Sequence, residues 1–364
     1  MSFMREARLG ISRQALHHNL QRVRESAPYA RVLSMVKADA YGHGAALVAE
    51  TLAESDAFGV AFLDEALALR AAGILQPVSI LEGVFSDIEM FEAVRQGFSV
   101  VVHQEEQIRF LENCRLSGPV DVWLKIDTGM HRLGFSPETA VTAFRRIRAA
   151  RVVGMIGLLT HFASADDFDS PQTEKQIGRF RAVQQVLNKG GERQLPDSLA
   201  NSAAILAWPV SHGAWVRPGI MLYGSSPFAD RTAEELGLRP VMTLTSRLIA
   251  VRAVKKGEAV GYGAAWVAEY DTRIGVVAIG YGDGYPRHAR NGTPVMVEGH
   301  CVPLVGRVSM DMITVDLGNL TVEPGATCML WGDGLPADVV AAHAGTISYE
   351  LFCKVTARVR REVW

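Results

Sequence analysis

Cysteine is scarce. Four stand in 364 residues, at 114, 301, 328 and 353, with no metal-type spacing. We read them as ordinary thiols of a reducing compartment rather than as disulfides. Long apolar runs are lacking too. The uncharged stretch Leu199 to Val216 is broken by Asn201, Ser202, Pro209, Ser211, His212 and Gly213, which excludes a membrane span. The start, Met1-Ser2-Phe3-Met4-Arg5-Glu6, is charged at once and does not read as a signal peptide. A cytoplasmic protein with no membrane partner is the expectation. No long basic run appears and the formal net charge is -2, which gives no support for nucleic-acid binding. Solenoid-type repeats and low-complexity segments are not visible. The acidic run Asp166-Asp167-Phe168-Asp169 has only loop context, so a solvated loop is expected there and no metal.

What is present suits a soluble globular protein of about two domains: 48% hydrophobic and 21% charged residues. Ser12 is placed to cap a helix whose Leu16, Leu20 and Val23 share one face. Apolar runs then end near Lys37, Phe62, Leu81, Val102, Ile126 and Thr160. Shorter segments lie around Ser198-Leu199-Ala200 and Trp215-Val216. Helical patterns fall between them, at Asp64 to Ala72, Asp87 to Gln96, Gln104 to Cys114, Pro137 to Ala149 and Gln172 to Leu187. Eight strand-helix repeats predict a (β/α)8 barrel over 11–232. An open doubly wound sheet is the alternative, but no Gly-x-Gly-x-x-Gly follows the first strand. After about Arg231 short β-rich segments follow one another: Met242 to Val251, Arg273 to Ile279, Pro294 to Val297 and Ile313 to Val315. They predict a smaller mainly-β domain over 233–364, joined by 1–10.

The stretch Val36-Lys37-Ala38-Asp39-Ala40-Tyr41-Gly42-His43-Gly44 follows the apolar run Arg31 to Met35. It places Lys37 at a strand end, with the glycines expected to make the turn into a helix. A buried ammonium is costly unless paired or neutral. A desolvated lysine can form a Schiff base, whereas the bland reading is a lysine snorkelling out of the strand end. Other polar residues also stand at strand ends. Lys125 and Arg132 follow the fifth strand, His161 the sixth, Asn201-Ser202 the seventh and Arg217-Pro218-Gly219-Ile220 the eighth. Each has a plain structural reading: an ion pair, a core histidine, a helix cap, a turn. Barrel active sites are built from these ends.

The nonapeptide at 36–44 closely resembles the cofactor-lysine segment of bacterial alanine racemases, and further segments match that family in order along nearly the whole chain. The resemblance implies pyridoxal 5'-phosphate held on Lys37 as an internal aldimine. It implies phosphate contacts from Tyr41, Ser202, Gly219, Ile220 and Tyr349, with Asn201 and His161 also beside the cofactor. Arg217 matches the arginine at the pyridine nitrogen, which stays unprotonated opposite a permanently charged guanidinium. Arg132 matches a residue reaching the phenolic oxygen and the substrate carboxylate. Lys125 matches a lysine often carbamylated there. Val260-Gly261-Tyr262-Gly263 resembles the segment of the second base, Tyr262, and Val305 to Met312 the segment whose Met310 N–H meets the substrate carboxylate. Both come from the partner subunit in that family, so a homodimer is implied. The family's route for lowering the tyrosine pKa would here run Tyr262–His161–Arg217. A basic amino-acid decarboxylase, a broad-specificity racemase and a non-catalytic cofactor-binding regulator are the competing readings. Arg217, the charged start and the β region with Tyr262 argue against them in turn.

Overall fold

The computed structural model describes residues 6–115, 118–189 and 194–364. Residues 1–5, part of the N-terminal stretch read above, lie outside them. Strand β1 (Arg8–Ile11) comes first, then a helix over Arg13–Ser26 whose Ser12 Oγ accepts the Ala15 N–H. Strands β2 (Arg31–Met35), β3 (Ala57–Val60), β4 (Val78–Ile80), β5 (Ser99–Val102), β6 (Val120–Lys125), β7 (Val153–Leu159), β8 (Asp197–Ser198) and β9 (Trp215–Val216) follow. They pair in parallel in that order, and β9 closes on β2. This is a closed eight-stranded barrel. Most of its strands read as apolar runs because helices cover the outside and side chains fill the inside, whereas β8 is the polar pair Asp197–Ser198.

Local chemistry sets the helices between them. Ser86 caps Asp87–Gln96 through the Glu89 N–H, and Ser136 caps Pro137–Ala149 through the Thr139 N–H with Pro137 in the first turn. Inside the barrel Val101, Trp123 and Leu159 form their own buried cluster, edged by Leu81, Met155 and Trp215. Trp123 and Trp215 meet edge-on with ring centroids 6.2 Å apart. A side chain at Gly157 would collide with the Trp123 ring, so the glycine makes room for it. The strand period of two puts Trp123 and Lys125 on the same inward face. The indole plug therefore sits one layer below Lys125 and floors whatever lies above.

The remaining strands form the second, mainly β unit: β10 (Met242–Val254), β11 (Ala259–Val260), β12 (Trp266–Val267), β13 (Thr272–Val277), β14 (Pro294–Val297), β15 (His300–Pro303), β16 (Ile313–Asp316), β17 (Thr327–Trp331) and β18 (Arg360–Val363). The main path runs β15-β14-β17-β10-β1-β18, with β13 paired to β10 and β16 paired to β13. So β1 pairs with β10 and β18, not with the barrel. Helices Ala337–His343 and Ser348–Lys354 also belong to this stretch of chain. Their short apolar patterns, like those of β15, β17 and β18, did not stand out in the sequence. Among the described residues no helix is long and apolar enough to cross a membrane.

Candidate active site

Lys37 lies two residues beyond the end of β2. The turn after it is not made by glycine alone. Ala38, Asp39, Ala40 and Tyr41 all adopt left-handed backbone, with φ of 53°, 52°, 54° and 53°. Left-handed helix costs L-residues roughly 1–2 kcal/mol each, so four in a row cost on the order of 4–8 kcal/mol. Such strain persists only where neighbours enforce it, and it gathers at functional sites. Here the Ala38 N–H donates to Glu65 Oε1 at 2.6 Å, and Asp39 Oδ1 accepts the Ala45 N–H at 2.8 Å. Gly42 follows at φ 77°, where a Cβ would overlap the Phe352 carbonyl oxygen.

A cavity of about 400 Å³ opens at the C-terminal end of the barrel. Lys37, Tyr41, Lys125, Arg132, His161 and Arg217 line it, and so do Asn201, Ser202, Gly219, Ile220 and Tyr349. The strand-end residues singled out in the sequence thus share one space, above the Trp123 plug.

Arg217 is the most constrained of them, 4% exposed. Its Nη1 donates to Ser198 O at 2.9 Å and Ser198 Oγ at 2.7 Å, and its Nη2 to Thr160 O at 2.7 Å and Leu199 O at 3.2 Å. Burial lowers its pKa to about 10, which leaves it charged at neutral pH. Nη2 is also 3.3 Å from His161 Nδ1. A guanidinium only donates, so Nδ1 accepts and the ring's N–H is at Nε2. Burial, then the charges of Arg217, Lys125, Arg132 and Lys37, push His161 well below the usual histidine pKa, and the ring is neutral. Gln176 fixes its main chain, donating to His161 O at 2.9 Å and to Thr128 Oγ1 at 3.1 Å.

Lys125 is 8% exposed. Burial lowers its pKa to about 8; Glu82 opposes the shift, and Arg217, Arg132 and Lys37 add to it. Arg132 is delivered by a loop that Asp127 gathers, its Oδ1 accepting the N–H groups of Gly129, Met130 and His131 at 2.9–3.1 Å.

The donors on the other wall suit a phosphate. Asn201 is the helix cap the plain reading allowed, its Oδ1 accepting the Ala204 N–H at 3.1 Å. Ser202 Oγ accepts the N–H groups of Gly219 at 2.9 Å and Met221 at 3.4 Å, so its own hydrogen points elsewhere. A Cβ at Gly219 would collide with the Tyr41 hydroxyl, which brings that phenol against the Gly219-Ile220 backbone. Tyr41 stacks on Tyr223 at 4.8 Å and faces Tyr349 at 5.9 Å between centroids. Burial raises the pKa of both Tyr41 and Tyr349, which keeps them protonated donors. Hydroxyls, backbone N–H groups and a lysine on one cavity form a donor set that fits pyridoxal 5'-phosphate.

Tyr262 and Met310 do not line this cavity. They are 69% and 53% exposed, in the β-rich part of the chain. Their segments are neighbours: the Arg307 guanidinium lies against Gly263, and the N–H groups of Tyr281 and Gly282 donate to Ser309 O and Met310 O. Residues that the sequence reading did not assign to the site also reach the cavity: Glu82, Asp166 and Cys353. Only Asp166 carried a signal, as part of the acidic run. Among the described residues no three acidic, histidine or cysteine side chains group in a way that suits a metal ion.

Comparison with known proteins agrees with this arrangement. The family model "Alanine racemase, N-terminal domain" matches residues 11–227 and "Alanine racemase, C-terminal domain" matches 241–363. Alanine racemase of Vibrio vulnificus (strain YJ016) is 52% identical over 361 residues, 99% of this chain and 95% of that one. That of Photobacterium profundum is 51% identical, covering 98% and 99%. Among solved structures, the biosynthetic alanine racemase of Pseudomonas aeruginosa superposes with a TM-score of 0.94 at 45% identity, covering 99% of this chain and all of the other. The Acinetobacter baumannii enzyme gives 0.94 at 42%, with the same coverage. This chain belongs to the alanine racemase family of pyridoxal-phosphate-dependent isomerases.

Proposed function

We propose that the chain interconverts L-alanine and D-alanine in the Lys37 cavity, with pyridoxal 5'-phosphate on Lys37. The observation that carries this reading is the convergence of Lys37, the Arg217–His161 pair and the Tyr41/Ser202/Gly219 wall on one cavity. Tyr41, Tyr349, Ser202 and the Gly219-Ile220 backbone hold the phosphate, with Asn201 beside them. Arg217 would hold the ring nitrogen of the bound cofactor. An arginine rather than a carboxylate at that position argues against a decarboxylase site, and its bonds to Ser198, Thr160, Leu199 and His161 fix it there. When bound, the cofactor acidifies the α C–H of an amino acid attached to it. The Lys37 amine takes or returns the proton on the D face. Tyr262 of the partner subunit does so on the L face, its phenol tuned by His161, which burial and then the Arg217 charge keep neutral. Arg132 and the partner subunit's Met310 N–H hold the substrate carboxylate.

Tyr262 and Met310 are exposed and outside this chain's own cavity, which supports a homodimer with shared sites. The reaction runs both ways and serves either supply of D-alanine for peptidoglycan or its breakdown. A coupled D-alanine assay tests the reading. L-alanine should give D-alanine, and Lys37→Ala should lose both turnover and the visible absorbance of lysine-bound cofactor. Cofactor trapped by borohydride on a peptide lacking Lys37 would sink it.

A further inference from the structure

The left-handed turn after Lys37 needs a cause, since its sequence supplies none. Two side chains outside the cavity's donor set grip it. His43 is completely buried between Gly42 and Gly44. Its Nδ1 lies 3.0 Å from Ala40 O and 2.9 Å from Tyr41 O. Two carbonyls only accept, so Nδ1 carries the hydrogen. Nε2 is buried with no partner among the described residues, so the ring's hydrogen bonding goes entirely to those two carbonyls. Burial lowers its pKa to about 4, which keeps the ring neutral. Tyr223 and Phe352 wall it in at 4.5 and 5.2 Å between centroids. The second grip comes from β18. Arg361 Nη2 donates to Asp39 Oδ2 at 2.6 Å and to Gly42 O at 3.0 Å.

We propose that His43 and Arg361 are positioning residues for Lys37, locking residues 38–41 in the left-handed form that turns the lysine amine and the Tyr41 hydroxyl into one cavity. The proposal rests on Lys37 being the cofactor lysine. It ties the lysine's placement to the last strand of the chain, so the β unit reaches its own barrel's site as well as the partner's. Within the turn the backbone satisfies part of its own need: the N–H groups of Gly42, Gly44 and His43 donate to Ala38 O, Asp39 O and Ala40 O at 2.8–3.1 Å. The histidine N–H adds a side-chain donor at Ala40 O and Tyr41 O, and the arginine fork adds one at Gly42 O and ties down Asp39.

Hydrogen exchange and cofactor release test this together. His43→Leu fills the space without a donor; His43→Asn keeps an N–H near the position of Nδ1. In His43→Leu, peptides spanning 36–44 should exchange faster while the other barrel strands keep their protection. Cofactor should leave the loaded enzyme roughly 10- to 100-fold faster, the effect of losing one buried hydrogen-bond donor. His43→Asn should restore most of both. Arg361 is partly exposed, so Arg361→Met will fold even if His43→Leu does not, and it should show the same two changes in weaker form. Local exchange and cofactor release that match wild type in Arg361→Met and His43→Leu would overturn the proposal. A uniform rise in exchange across the barrel, with cofactor release unchanged, would also overturn it, because His43 would then be core filling only. If exchange at 36–44 responds but wild-type cofactor is found on another lysine, the turn lock stands and the proposed function fails instead.

Discussion

Lys125 shows how a single residue's environment prepares its chemistry. An amine must be neutral to attack carbon dioxide. With a pKa near 8, roughly a tenth of Lys125 is neutral near pH 7, several hundred times more than for a free lysine. The product carbamate would be an anion among Arg217, Arg132 and Lys37, whose charges now oppose the ammonium. Carbamate formation therefore relieves the charge repulsion that adds to burial in lowering the pKa. With isotopically labelled bicarbonate, a protein-bound carbamyl carbon should appear by NMR and vanish in Lys125→Ala. An unlabelled wild type at saturating bicarbonate would refute this. Glu82 works against it, being a carboxylate already near the amine, so Glu82→Gln should raise the labelled fraction.

Elements set where those residues stand. The indole plug of Trp123 and Trp215 floors the cavity, one strand layer below Lys125. Trp123→Ala should destabilise the protein by about 3–5 kcal/mol, read as a shift of the urea midpoint, with activity lost in proportion to the collapse of the floor. A variant as stable and active as wild type would mean that the plug supports nothing above it. The barrel was legible because most of its strands are apolar runs and helical patterns alternate with them, signals that need no tertiary contact. Ser12, Ser86 and Ser136 all cap where such patterns begin. The Lys37 turn was misread for the opposite reason. Ala38, Ala40 and Tyr41 have no intrinsic taste for left-handed backbone, and apart from His43 the groups that touch the turn lie far along the chain, at Glu65, Phe352 and Arg361. Gln176 and Glu82 were invisible likewise, being a helix-face amide and a strand-end acid with no distinguishing spacing. Tyr262 and Met310 came from family resemblance alone, since a tyrosine between glycines in a turn says nothing by itself.

At the scale of the whole molecule the chain divides its chemistry between two surfaces. Lys37 lies in the barrel cavity, while Tyr262 and Met310 stand exposed on the β unit. If two copies complete each other's sites, two inactive variants should rescue one another. Equal amounts of Lys37→Ala and Tyr262→Phe, under conditions that exchange subunits, should recover roughly a quarter of wild-type activity. Half of the dimers are then mixed, and each has one intact site of two. Proven exchange without recovery would place both residues in one chain's site.

Proton exchange in heavy water reaches the central claim most directly, because it watches each face of the substrate separately. Wild type should exchange the α-hydrogen of both alanine enantiomers while interconverting them. Tyr262→Phe removes only a phenolic oxygen, so cofactor binding should survive. This variant should still exchange the α-hydrogen of D-alanine through Lys37, lose exchange from L-alanine, and lose racemisation with it. Equal loss of exchange from both enantiomers, or racemisation at the wild-type rate, would contradict a two-base site built from Lys37 and the partner subunit's Tyr262.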